Sequence, residues 1–300
     1  MRPIHESRVV SRMAKSLMPF ASSCLLRMRM QALVRYAELG SSLLQGKGAG
    51  SGWDMRSELR AAAGCITRPD PVLLDVGANR GKWSQGMLRL FPATRRVILI
   101  EPQKDCLTAL DVVDLPGKLI VPCAVSDHSG EEPFHVSGVG WGAASLHARN
   151  ETCFATRSQK EITVPVTTLD EVFEREGIQY VDFAKFDIEG AELSAFHGAA
   201  RCFSCGAFGA LSFEFGSGNI NSRTFFHDFW TFFTELGFEV FRVLPGGHIL
   251  RIDHYYEDLE YFRGVSNYIC KRKRGWQVRG TSVRSFSAPS LCTTQSNGKG

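Results

Sequence analysis

The sequence lacks several features that would place it in other classes of protein. It contains no uninterrupted apolar run of about 18 residues, so no membrane-spanning helix is predicted. Its net charge of +4, from 35 basic and 31 acidic residues, is too small for the basic stripe of a nucleic-acid-binding protein. We find no internal repeat and no Gly-x-Gly-x-x-Gly fingerprint of a dinucleotide-binding turn. These absences leave a globular protein whose partner is a small molecule or a glycan, with no nucleic acid expected.

A disulfide framework is also absent, although the chain has nine cysteines. The cysteines are scattered, and the only close pair is Cys202 and Cys205. No second pair and no histidine pair accompany it, so the pair is weak evidence for a zinc or redox site. We interpret the cysteines as reduced thiols and predict a cytoplasmic protein.

Composition divides the chain into three parts. Residues 1–52 are predicted as a basic helical extension that ends in a glycine-rich linker, residues 53–274 as one α/β domain, and residues 275–300 as a disordered tail. Residues 1–44 carry seven basic and two acidic side chains, with apolar residues at helical spacing. This pattern favours packing on the domain or partial disorder, and it also allows weak association with a membrane surface.

Buried-strand patterns alternate with helical patterns through the central part of the chain. Short apolar runs such as Val72–Val76 and Arg96–Ile100 lead into glycine or acidic residues, and a helical pattern follows each. The alternation predicts a mostly parallel sheet with helices on both faces. Ligands bind such sheets beyond the carboxyl ends of the strands. An acidic residue ends each of five predicted strands, and the five are expected to share that edge: Asp75, Glu101, Asp127, Asp187 and Glu214.

The turn Asp75–Gly81, which reads Asp-Val-Gly-Ala-Asn-Arg-Gly, is the strongest indication of a cofactor site. Gly77 and Gly81 allow a tight turn and a close approach of the backbone to a ligand. The helix that starts near Lys82 presents free N–H groups to an anion. Asp75 suits the ammonium group of S-adenosylmethionine and would repel the pyrophosphate of a dinucleotide.

Two further acidic residues fit the other parts of such a cofactor. Glu101, at the end of the second strand, could accept hydrogen bonds from ribose hydroxyls, although NAD enzymes share this feature. Asp127, after the third strand, could accept from an adenine amino group. An NAD-dependent oxidoreductase on a Rossmann fold therefore remains an alternative, as does a non-catalytic module that keeps the cofactor fold.

The segment from Val72 to about Lys271 resembles the FkbM family of methyltransferases. The resemblance covers about two thirds of the chain, and its most specific part is the last of the following motifs. They are Asp75–Ser84, Ile100–Pro102, Ala124–Asp127, Thr168–Asp170 and Lys185–Glu192.

The resemblance implies a Rossmann-like class I methyltransferase fold with a seven-stranded sheet and an antiparallel last strand. It implies S-adenosylmethionine as the methyl donor and O-methylation of a hydroxyl on a sugar, a glycan or a secondary metabolite. By the same resemblance the cofactor is lined by Asp75, Gly77, Asn79, Gly81, Glu101 and Asp127.

A sugar hydroxyl has a pKa far above 7, so a base or a cation must assist its deprotonation. Asp187 or Glu189 is predicted as the base, with Lys185 in an orienting or electrostatic role. In the alternative interpretation, Asp187 holds the methionine end of the cofactor and Glu189 caps the next helix. Together with Glu214, these two acids could supply oxygen ligands to a divalent metal ion, but no metal is expected.

Overall fold

The structure is a computed structural model that describes residues 8–50, 54–137, 144–148, 159–260 and 264–273. The predicted tail, residues 275–300, lies outside the described residues. The helices within these ranges are α1 (Arg8–Arg27), α2 (Gln31–Leu44), α3 (Met55–Ala63), α4 (Lys82–Leu90), α5 (Lys104–Asp111), α6 (Leu169–Arg175), α7 (Glu192–His197), α8 (Ala200–Cys205), α9 (Ser217–Ser222) and α10 (Phe226–Glu235). Among them, none combines the length and the apolar composition needed to cross a membrane.

The strands form one large sheet and one small sheet. Their bounds are β1 (Val72–Val76), β2 (Arg96–Ile100), β3 (Leu119–Val121), β4 (Ala124–Val125), β5 (Gly130–Ser137), β6 (Gln159–Thr167), β7 (Val181–Phe186), β8 (Phe208–Gly216), β9 (Phe238–Val243), β10 (Ile249–Arg251) and β11 (Val265–Arg272).

The large sheet has the strand order β10-β9-β11-β8-β7-β1-β2-β3. The five strands from β8 to β3 pair in parallel, whereas β11 inserts antiparallel between β8 and β9. This confirms the predicted mostly parallel α/β sheet with an antiparallel last strand. The short strand β10 pairs antiparallel with β9 and adds an eighth strand to the predicted seven.

Alternation along each strand divides the core between the two faces of the sheet. Leu74 and Val76 face the larger cluster, which contains the aromatic side chains of α10, including Phe229 stacked on Phe213 at 4.8 Å between ring centroids. Leu73 faces the opposite cluster, which contains residues of α3 and α4. Helices therefore cover both faces, and only the edges of the sheet remain for ligands.

Residues 45–50, predicted from composition as part of a linker, pack against the domain. Lys47 Nζ donates a hydrogen bond to the backbone oxygen of Asp258 at 2.8 Å. The backbone N–H of Gly48 donates to Ser266 Oγ at 3.1 Å. The segment therefore fastens α2 to the sheet, while the predicted domain boundaries at residues 52 and 274 stay predictions.

Candidate active site

A cleft that opens to solvent lies at the carboxyl ends of β1 and β2, with about 500 Å³ of empty space when its open mouth is included. Four of the residues predicted from the sequence line it together: Gly77, Asn79, Glu101 and Asp187. These four residues follow three different strands, β1, β2 and β7, and the parallel topology brings the ends of those strands to one place.

The turn after β1 forms the floor of this cleft. Gly77 has φ +79° and Gly81 has φ +71°, both in the left-handed region that favours glycine. A Cβ on Gly77 would lie 2.0 Å from the backbone oxygen of Asp187, so no larger residue fits there. Helix α4 begins directly after Gly81 and has free N–H groups at this turn, but Gly81, unlike Gly77, is not among the residues that line the cleft.

Glu101 is a buried carboxylate held by backbone donors. Its Oε2 accepts from the N–H of Asn79 at 2.8 Å, and its Oε1 accepts from the N–H of Gln103 at 3.0 Å. Burial raises the pKa of Glu101, although these backbone hydrogen bonds act in the opposite direction. Oε1 also accepts from Gln103 Nε2 at 3.3 Å. Each carboxylate oxygen has about two acceptor sites, so Oε2 keeps capacity for one more donor such as a hydroxyl.

The structure does not bring Asp75 to the cleft. Because side chains alternate along β1, Asp75 lies on the face opposite to Val76, which lines the cleft. Its carboxylate is fully buried and accepts from Ser84 Oγ at 2.7 Å. Asp75 thus has a structural role beneath the cleft, and its carboxylate has no direct route to an ammonium group bound in the cleft.

Asp127 also lies outside the residues that line the cleft. Its carboxylate, about half exposed, pairs with His128 Nδ1 at 2.8 Å. This hydrogen bond lowers the pKa of Asp127. Asp127 thus lies at the surface, and its position gives no support to the predicted contact with adenine.

Several residues that sequence reasoning missed complete the walls of the cleft. Gln103, Cys123 and Phe134 all line it. Gln103 follows Glu101 so closely that the motif Glu-Pro-Gln could have indicated it. Phe134 comes from β5 in the small sheet, and no local pattern in the sequence shows that this sheet folds over the cleft.

Lys185 and Asp187 form a tight ion pair beside the cleft. Lys185 Nζ lies 2.8 Å from Asp187 Oδ2 and 3.9 Å from Asp75 Oδ1. Burial acts to lower the pKa of Lys185, but the surrounding carboxylates, Asp187 first, outweigh it and raise the pKa. Lys185 therefore stays an ammonium and fixes the side chain of Asp187.

Three carboxylates converge at the end of β7 and β8. One carboxylate oxygen from each of Asp187, Glu189 and Glu214 lies within 4.8 Å of the others. Glu189 has φ +58°, a left-handed conformation that L residues rarely adopt, and this turn places it there. Burial and then the charge of Asp187 raise the pKa of Glu214. Oxygen ligands for a cation are therefore together, and the expectation that no metal is needed stays a prediction.

Glu192, one residue of the Lys185–Glu192 motif, secures the turn after β7. Its two carboxylate oxygens accept from the backbone N–H groups of Ile188 at 3.0 Å and Gly190 at 2.9 Å. Burial raises the pKa of Glu192 to about 7. Glu192 thus stabilises the turn before α7, whereas the N-cap residue of the helix, Ala191, has no side-chain cap hydrogen bond.

Glu58 on α3 was missed by the sequence analysis. It is buried, and its Oε1 has no hydrogen-bond partner. Burial raises its pKa to about 8, with Lys185 opposing and with Asp187 and Asp75 adding to the effect. Glu58 lies before the motif-rich part of the chain, so only the packing of α3 reveals its place beside Lys185.

Residues 75–240 match the family model described as the methyltransferase FkbM domain. The chain belongs to the FkbM methyltransferase family. This confirms the family predicted from the sequence motifs.

Individual relatives of this FkbM-family chain are distant. The 2-O-methyltransferase NoeI of Sinorhizobium fredii is 26% identical over 144 residues, which are 44% of this chain and 59% of NoeI. A methyltransferase FkbM from Methylobacillus flagellatus has a solved structure with a TM-score of 0.42 and 17% identity, covering 67% of this chain and 44% of that one. The precorrin-6y C5,15-methyltransferase of Geobacter metallireducens has a TM-score of 0.39 and 10% identity, covering 76% and 95%.

The FkbM-family site contains more carboxylates than cations. Four carboxylates that influence one another electrostatically surround Lys185: Glu58, Asp75, Asp187 and Glu214. One ammonium cannot neutralise four carboxylates, of which Glu58 and Asp75 are buried, and unneutralised buried charges are costly. Burial therefore favours the protonated form of Glu58, whose pKa is raised to about 8.

Proposed function

We propose that this methyltransferase uses S-adenosylmethionine to methylate a hydroxyl oxygen on a sugar, a glycan or a secondary metabolite. The observation that carries the proposal is the junction at Asp187. This residue lines the cleft and also belongs to the carboxylate cluster around Lys185.

The residues of the cleft suit this cofactor. Glu101 keeps acceptor capacity at Oε2 for a ribose hydroxyl, and the start of α4, at the turn beside the cleft, offers N–H groups to the methionine carboxylate. Asp187, beside Gly77, is the acid that can meet the ammonium group, in place of the predicted Asp75. The same carboxylate would repel the pyrophosphate of NAD, which disfavours the oxidoreductase alternative. When bound, S-adenosylmethionine supplies a methyl group made electrophilic by a positively charged sulfur.

The carboxylate cluster suits activation of an acceptor hydroxyl. Of the two predicted bases, Asp187 is engaged by Lys185, which leaves Glu189 beside Glu214. A carboxylate with a raised pKa is the better proton acceptor near neutral pH, and Glu214 has this property. We therefore assign the proton of the hydroxyl to a carboxylate oxygen of Glu214, with Glu189 close enough to share it. Lys185 acts by positioning Asp187.

Oxygen as the acceptor atom has support from the relative NoeI, which is described as a 2-O-methyltransferase. The match spans 59% of that protein, so the identity of its acceptor is not transferred to this chain. The cytoplasmic location remains part of the proposal, and the seven cysteines of the described residues are free thiols.

Calorimetric titration tests the cofactor assignment. We expect S-adenosylmethionine to bind and NAD to give no heat of binding. Asp187→Asn removes the charge that meets the ammonium group and should weaken binding by at least about tenfold, the effect of about 1.4 kcal/mol. Asp127→Asn is the matched control, because Asp127 also follows a strand but lies outside the cleft, and it should bind like the native chain.

Binding of NAD alone, or equal binding by the native chain and Asp187→Asn, would contradict the cofactor assignment. Loss of binding in Asp127→Asn as large as in Asp187→Asn would restore the role that the sequence analysis gave to Asp127.

We expect no requirement for a metal ion. Lys185 already provides a fixed positive charge 2.8 Å from Asp187. Dialysis against a chelator should therefore leave methyl transfer to a saccharide acceptor unchanged. Activity that disappears with the chelator and returns with Mg²⁺ would instead assign the convergent carboxylates to a metal.

A further inference from the structure

The first two helices concentrate exposed apolar side chains. Sixteen large hydrophobic side chains are exposed among the described residues, and ten of them lie between Leu17 and Leu44. Phe20 is 73% exposed and Leu44 is 91% exposed. Large exposed apolar patches of this kind commonly mark sites of interaction with a protein or a membrane.

Helix α2 is exposed on all sides over its first eight residues, Gln31 to Glu38. Leu33, Tyr36, Leu43 and Leu44 fall on one side of the helix by their spacing of 3, 10 and 11 residues. All four are exposed, with Tyr36 at 70%, whereas the one buried residue of α2 is the polar Ser42. The helix therefore keeps an apolar stripe that the domain does not cover.

The C-terminal half of α1 extends the same kind of surface. Leu17 and Phe20 lie one turn apart and are exposed, and Leu26 near the end of the helix is exposed as well. The two helices follow each other with only three residues between them. Their exposed side chains thus belong to one continuous stretch of chain.

The net charge of this stretch favours one class of partner over another. Between Arg8 and Leu44 the sequence has six basic residues and a single acidic one, Glu38, which gives a net charge of +5. A second copy of the chain would bring two such positive surfaces together, which disfavours a dimer through this face. Exposed apolar side chains combined with positive charge fit the surface of an anionic bilayer.

We propose that α1 and α2 dock on an anionic membrane surface without crossing it. Residues 45–50 connect the docked helices to the domain. A Cβ on Gly50 would lie 3.1 Å from Cβ of Asn267, which pairs with Glu214 between β11 and β8. The docked helices are therefore joined to the edge of the sheet that carries the active site.

Co-sedimentation of the full chain with lipid vesicles tests the proposal. The vesicles are made of phosphatidylcholine alone or of phosphatidylcholine mixed with phosphatidylserine. We expect the native chain to sediment with the mixed vesicles, to bind neutral vesicles much less and to release at high salt, because salt screens the charge attraction. The triple variant Leu33→Ser, Tyr36→Ser, Leu44→Ser should lose at least about tenfold in vesicle affinity, since apolar burial contributes to such binding.

A matched control replaces exposed apolar residues elsewhere. Leu90→Ser with Val112→Ser removes two exposed side chains from α4 and from the end of α5, and it should bind vesicles like the native chain. Thermal unfolding and S-adenosylmethionine binding show whether each variant keeps its fold, independently of the vesicles. Absence of binding to mixed vesicles, or equal binding by the triple variant, would overturn the proposal. A dimer that the triple variant abolishes, without vesicle binding, would assign the surface to a second copy and overturn it as well.

Discussion

The cofactor cleft and the carboxylate cluster share one edge of the sheet, but they differ in how far hydrogen bonds satisfy their buried carboxylates. In the cleft, both oxygens of Glu101 accept backbone hydrogen bonds. In the cluster, Glu58 Oε1 and Asp75 Oδ1 are buried without a hydrogen-bond partner. A satisfied carboxylate is fixed and ready to bind, whereas an unsatisfied one gains from taking up a proton or a donor.

This difference indicates a division of labour across the site. The cleft is organised before any ligand arrives, which lowers the cost of binding. The cluster is left in an electrostatically unfavourable state that a reacting hydroxyl can relieve by giving up its proton. Substitutions on the two sides should therefore affect different measurable quantities.

The largest effect is expected for Glu214→Gln, because it removes the proposed proton acceptor while keeping the shape of the side chain. General-base catalysis contributes about 10²–10⁴ to a rate, so kcat should fall by that range. The Kd for S-adenosylmethionine, measured by calorimetry, should change by less than about threefold, since Glu214 does not line the cleft.

Glu174→Gln is the control for that experiment. Glu174 is an exposed carboxylate on α6 that pairs with Arg201 at the surface, and its loss should leave kcat unchanged. If Glu214→Gln keeps its full kcat, the proton goes elsewhere, and Glu189→Gln becomes the variant that distinguishes the two acids.

A smaller effect is expected on the other side of the comparison, for Glu101→Gln. The new amide NH₂ group faces either the N–H of Asn79 or that of Gln103, so one donor loses its acceptor. The variant also loses the charge that strengthens a hydrogen bond from a ribose hydroxyl, and hydrogen bonds to charged groups contribute about 1.5–3 kcal/mol, so the affinity for S-adenosylmethionine should fall about 10- to 100-fold. The kcat at saturating cofactor should change much less. A variant that loses kcat but keeps its affinity would contradict the proposed division.

The smallest effect concerns stability rather than activity. The pKa of Glu58 is raised to about 8 in the folded chain, from an ordinary value of 4.5. Between these two pH values the folded state holds a proton that the unfolded state has released, so stability falls as the pH rises through this window. Glu58→Gln removes this contribution, so its stability relative to the native chain should rise with pH by at most about 1.4 kcal/mol per pH unit.

Denaturant unfolding of both chains from about pH 5 to pH 8 measures that difference. The gap between the variant and the native chain should widen with increasing pH. A gap that stays constant would mean that Glu58 is already ionised and compensated in the folded state.

Local patterns predicted the parts of the site that depend on chain direction alone. The apolar run Val72–Val76 was predicted as a strand and is β1, and Gly77 directly after it lines the cleft. The sequence also placed Glu101 and Asp187 at strand ends, where the structure has them. Because such alternation predicts parallel strands, the sequence alone predicts that these residues lie together at one edge of the sheet.

Side-chain direction and long-range packing could not be predicted in the same way. Asp75 ends the same strand, but the pleat turns it into the opposite face. Glu58 and Phe134 come from α3 and from the small sheet, and their positions depend on how those elements fold over the domain. A strand-end rule identifies the edge of the site, whereas tertiary packing decides which acid faces the ligand.

The contact between Gly77 and the backbone of Asp187 has a consequence for how such enzymes can diverge. The two loops fit each other with no room for one additional carbon atom. Neither loop can therefore drift in length or shape on its own, although more than one hundred residues separate them along the chain. An engineer who wants to transplant the cofactor turn into a relative, or a lineage that acquires a new acceptor, must carry the two loops over as a matched pair.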